Sequence, residues 1–154
     1  MTRNTHTHYQ KEVHDALEKC QFVEETLRVY INLAIEIGKL EMGNHFPVRF
    51  TTADLSKFSL GKLVRVFSRL SNDASLKSSL KNLTTERNFV AHRSLLFTLG
   101  ELQDSNHIAQ SLQKMRDIKE RASKAHEALL EETWRLRRSL SALKRPHKSA
   151  TLQR

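Results

Sequence analysis

The segment Glu86-Arg87-Asn88-Phe89-Val90-Ala91-His92-Arg93 sets a guanidinium, a carboxamide and an imidazole close together in the chain. Histidine titrates near neutrality and can both take and return a proton, while arginine stays charged and offers a planar fork of donors to phosphate oxygens. Together these groups suit cleavage of RNA without a metal. The histidine takes the proton from a ribose 2′-hydroxyl and supplies one to the departing 5′-oxygen, and the arginine stabilises charge developing on the phosphorane. The product end is a 2′,3′-cyclic phosphate, and DNA, which lacks the nucleophile, resists.

Spacing alone does not single out this pair, since Arg3 and His8, and Arg121 and His126, are separated in the same way. Only Arg87 to His92 has helical apolar residues on both sides. In a helix Asn88 and His92 stack on one face beside Leu95, Leu96 and Leu99, so His92 is expected to point toward apolar surroundings. Arg87 lies about 140° around the axis from His92, toward Ser94, Thr98 and Glu101. A straight helix keeps the two groups apart. They converge if the chain bends at Thr84-Thr85, or if His92 meets its counterpart across a two-fold axis.

The motif, an arginine followed by a polar residue, three further residues and a histidine on a helix, resembles the signature of the HEPN family. The resemblance implies an all-α HEPN-like helical bundle, a site shared across a homodimer and metal-independent endoribonuclease activity, often that of a toxin or defence effector held in check by a cognate antitoxin. It assigns His92 as acid and base, Arg87 as phosphate and transition-state ligand, and Asn88 as the group that orients one of them. Some toxins of the family carry a tyrosine two residues after the histidine, where an antitoxin modifies it. Here that place is taken by Ser94, so silencing by that route is not expected.

The elements that must position these residues are legible in the apolar pattern. Four glycines and two prolines in 154 residues are too few turn formers for a sandwich or barrel, so the fold is expected to be all-α, in one domain over residues 9–145. One long helix is predicted from about Tyr9 to Met42, ending at Gly43-Asn44, with residues 1–8 a flexible N-terminus. A turn near Ala53 to Lys57 follows, then a helix capped by Ser59, then one capped by Asp73. The motif helix covers about 85–99 and stops at Gly100. From about 104 to 143, Met115, Ala122, Leu129, Leu136 and Leu143 recur every seven residues. An unbroken helix there would reach about 60 Å, so it is expected either to break or to project as an arm that pairs with another chain. Residues 146–154 are predicted to be a flexible basic tail.

The net charge of +9 favours a polyanionic partner, RNA first. Arg93, Arg65, Arg69 and Lys81, with Lys77, are the expected RNA-binding cations, and Trp134 beside Arg135, Arg137 and Arg138 is a further candidate for stacking. No cofactor and no metal are expected: His6 and His8 have no third ligand nearby, and the single cysteine, Cys20, forms neither a disulfide nor a metal pair. With no signal-like or membrane-spanning run, the expected compartment is the cytoplasm. Two other readings remain open, a catalytically silent module that binds RNA or a nucleotide, and a helical protein-interaction scaffold.

Overall fold

The computed structural model describes residues 3–47, 50–98 and 105–145, with side chains described at 7–47, 50–94 and 108–145. Every element among the described residues is helical. In the first segment, positions 9, 13, 16, 20, 23, 27 and 30 alternate steps of four and three, the repeat that keeps one stripe of a helix turned toward its neighbours. This segment forms α1, Arg3–Met42, and all seven of those residues are buried. The helix therefore begins six residues before the expected Tyr9. It ends at Gly43, whose φ of 57° is left-handed backbone, within a short 3-10 turn over Gly43–His45. Phe46 then folds back over Gly38, where a β-carbon would collide with its ring.

Helix α2, Thr52–Ser56, starts with a reciprocal cap in which the Thr51 hydroxyl accepts from the Asp54 amide and the Asp54 carboxylate accepts from the Thr51 amide. Arg28 of α1 ties this corner down, donating through Nε to the Leu55 carbonyl at 3.2 Å and through Nη2 to the Phe58 carbonyl at 3.1 Å. Helix α3, Leu60–Leu70, begins after Ser59, whose side chain makes no capping bond. It buries Phe67 against the Tyr30 ring, with centroids 4.8 Å apart. Asp73 does cap α4, accepting from the Leu76 amide at 2.8 Å. Helix α4, Ala74–Thr98, is continuous through the two threonines. The Thr84 hydroxyl donates to the Leu80 carbonyl one turn back, so the threonines do not interrupt the helix. The stop expected at Gly100 lies outside the described residues, as does the tail 146–154.

Helix α5, Ser105–Leu143, neither breaks nor projects. Its apolar stripe at Ile108, Met115, Ile118, Ala122, Ala125 and Leu129 is spent on α1, beside which it runs in parallel. Glu12 meets Arg116 and Lys119, Thr26 meets His126, and Glu36 meets Lys144, in the same order along both helices. Helix α4 returns between them in the opposite sense: Arg87 meets Glu24, Glu86 meets Arg121, and Leu76 lies farther along α5, lining a cavity with Ala125 and Ala128. The result is a three-helix core of α1, α4 and α5, flanked by α3. No helix among the described residues is long and apolar enough to cross a membrane.

Candidate functional site

Helix α4 turns one stripe inward, through Leu76, Leu80, Leu83 and Val90, all buried. The steps between them, four, three and seven, leave a place one turn after Leu83, and Arg87 occupies it. Its Nε lies 3.5 Å from Glu24 Oε1 of α1, and its side chain keeps 42% of its surface exposed. The neighbouring Glu86 pairs with Arg121 of α5 at 2.6 Å, and Glu24 also lies 3.7 Å from Arg28. Cys20 sits beside this set. Burial, with the charges of Glu24 and Glu86 adding to it and Arg87 opposing, pushes its thiol up to about 12, so at neutral pH it is an inert thiol.

His92 is exposed, which corrects the expectation that it points into apolar surroundings. The inward stripe is set by the leucines of the first half of α4 and by Val90, and carried forward it selects Arg87 rather than His92. Asn88, one turn before His92, is also exposed. Arg87 and His92 therefore point to different sides of α4, which is unbroken between them.

The outward face of α4 carries more than the motif. Lys77, Lys81, Thr85, Asn88 and His92 follow one another at steps of four, four, three and four, so they share one side of the helix. At its first half this side borders α3, where an open groove of about 580 Å³ is lined by Arg65 and Ser68 of α3 and by Lys77, Ser78, Lys81 and Thr85 of α4. The two helices approach closely at Gly61, where a β-carbon would stand 3.2 Å from the Thr84 methyl. No carboxylate lines the groove, and no described carboxylate pairs with Arg65, Lys77 or Lys81.

Of the cations named from sequence, Arg65, Lys77 and Lys81 are thus brought together. Arg69 is exposed but does not line the groove. Arg93 turns away from it, half-buried over the Phe89 ring at 5.4 Å, a ring it shares with Lys114 at 3.7 Å. Trp134 is 54% exposed, with the Arg137 guanidinium 5.2 Å from its ring, and belongs to neither the groove nor the motif. Sequence reasoning missed Glu24, Glu86 and Arg121. The available signal was Arg87 itself, a charged residue in a heptad core position that needs carboxylates opposite it.

Compared with known protein families, curated proteins and solved structures, the chain matches none.

Proposed function

We propose that the protein is a metal-independent endoribonuclease of the HEPN type, working as a symmetric dimer. One observation carries the reading: His92 and Asn88 stand exposed on the same face of α4 as unpaired cations, where an RNA strand can reach an imidazole able to accept its 2′-hydroxyl proton. Arg87 supports it, since its Nε faces Glu24 while the half-exposed side chain retains terminal donors for a phosphate. Because the helix holds Arg87 about 140° away from His92, a second copy supplies the missing partner, with His92 of one chain acting alongside Arg87 of the other. The resemblance extends the proposal to a toxin or defence role in the cytoplasm, in which an antitoxin would act by covering the exposed His92 face.

The second reading, a catalytically silent RNA-binding module, is favoured by the Arg87 to Glu24 ion pair, which gives the arginine a structural task. Labelled single-stranded RNA incubated with the protein in EDTA separates the two. Cleavage that disappears in His92→Ala and in Arg87→Ala, with helical circular dichroism kept, supports the enzyme; RNA retained but never cut supports the silent module. Cleavage that requires magnesium, or that both variants perform normally, overturns the site assignment.

A further inference from the structure

The groove between α3 and α4 has its own chemistry. Its cations, Arg65, Lys77 and Lys81, come from two helices and face one concavity with no carboxylate in its lining. Lys77 and Lys81 are one turn apart, so their ammonium groups rise from positions about 6 Å apart, and Arg65 faces them from across the groove. The Ser68 and Thr84 hydroxyls donate to the Val64 and Leu80 carbonyls of their own helices, whereas Ser78 and Thr85 have no hydrogen bond to a described residue. Three unneutralised cations and two available hydroxyl donors, set among apolar stems, offer donors to anionic oxygen in an open groove of about 580 Å³. Concentrating like charge in this way raises the energy of the empty protein, and a polyanion relieves that repulsion.

We propose that this groove binds the phosphate groups of a nucleotide chain, with Arg65, Lys77 and Lys81 as the phosphate ligands and Ser78 and Thr85 as hydrogen-bond donors. The inference rests on the RNA reading for its preferred ligand, because the same face of α4 continues through Asn88 to His92. From Lys81 to His92 is eleven residues, about 16 Å along the helix, so a strand held in the groove extends over several nucleotides to the imidazole. The groove then sets the distance between the phosphates that are gripped and the bond presented to His92.

The experiment measures binding of a fluorescent single-stranded RNA, and separately of a nucleoside triphosphate, by the full-length chain carrying His92→Ala so that no cutting intervenes. Each is compared with the same chain carrying Arg65→Gln, Lys77→Gln and Lys81→Gln in addition, and with a control carrying Lys11→Gln, Lys39→Gln and Lys57→Gln, three exposed cations outside the groove. Circular dichroism verifies folding, and the single Lys81→Gln variant stands in if the triple is unfolded. The groove substitutions should weaken RNA binding by about tenfold or more and flatten the plot of log affinity against log salt by about two units, beyond the effect of the control. Equal losses in groove and control variants overturn the groove while leaving RNA binding intact. Triphosphate binding that is lost in the groove variant, with no RNA binding by the parent, keeps the phosphate site and overturns the RNA reading. Absence of both kinds of binding overturns the groove.

Discussion

Arg87 and Glu24 meet 3.5 Å apart in the three-helix core, at a place on α4 where the heptad repeat would otherwise call for an apolar side chain. With the Arg87 side chain 42% exposed the pair contributes little to stability, and without it Glu24 keeps the Arg28 guanidinium 3.7 Å away. Arg87 is thus expected to matter little to stability, which leaves its half-exposed guanidinium for the role proposed above.

Arg87→Leu tests this directly. The variant should keep its helical circular dichroism and melt within a few degrees of the wild type, yet lose RNA cleavage by about 100-fold or more, the size of effect seen when one charge-stabilising donor is removed. Glu24→Gln should leave cleavage within about twofold. Equal loss of stability and activity in Arg87→Leu would mean that the arginine is structural only.

The Arg28 clamp governs the corner that sets α3 beside α4. Removing it in Arg28→Ala strands the Phe58 carbonyl and takes one of two donors from the Leu55 carbonyl, which keeps the Phe58 amide, at a cost of about 1–3 kcal/mol, which lowers the melting temperature by roughly 2–4 °C for each kcal/mol. Arg28→Lys should recover only part, since one ammonium cannot match the two-carbonyl geometry. A melting temperature unchanged in Arg28→Ala would show that α2 and α3 are held by apolar packing alone.

Acid should weaken the fold in two stages. Burial, aided by the nearby Lys19, holds the His126 imidazole below its ordinary 6.5 while its Nε2 lies 3.0 Å from the Thr26 hydroxyl. Protonation therefore favours the unfolded chain. The stability from neutral His126 is present above pH 6.5 and is lost as pH falls below it, toward the folded-state value. Burial would raise Glu12, but hydrogen bonds and charge from Lys119 and Arg116 outweigh it and hold the carboxyl below 4.5, so its contribution is present above that pH and is lost on further acidification. Urea midpoints measured from pH 8 to pH 3 should fall in both windows. His126→Gln should flatten the upper one and leave the lower unchanged.

What the sequence showed and what it hid divide along physical lines. The long helices were readable because their apolar residues recur at steps of three and four, and Asp73 was readable as a cap because its carboxylate is one of the few groups that satisfies a free amide at a helix start. The destination of α5 was hidden, since a heptad stripe states that a helix will pair without naming the partner, and here α1 of the same chain takes it. The direction of His92 was hidden because Leu95, Leu96 and Leu99 imply one rotation of α4, whereas the buried Leu76, Leu80 and Leu83 fix another. The groove was half legible: its three cations stand out in the sequence together with Arg69 and Arg93, and only tertiary packing separates Arg65, Lys77 and Lys81, which line it, from those two, which do not.

The divergence of Arg87 and His92 makes the proposed dimer testable by complementation. Neither His92→Ala nor Arg87→Ala should cut RNA alone. When the two are mixed and allowed to exchange, about half of the dimers are mixed and each holds one intact composite site of two, so about a quarter of wild-type activity should return. No recovery, with exchange verified by differently tagged chains, would show that each site is built from one copy.

The most direct measurement uses one RNA oligonucleotide with a mapped cut position, in EDTA, alongside the same oligonucleotide carrying a single 2′-deoxy nucleotide immediately 5′ of that bond. Wild-type protein should cut the all-ribose strand to leave a 2′,3′-cyclic phosphate, fail at the deoxy position while still binding the strand, and lose cutting of both in His92→Ala. Cleavage at the deoxy position, a 3′-hydroxyl end, or full activity in His92→Ala would contradict the account, because each requires a nucleophile other than the ribose hydroxyl or a base other than His92.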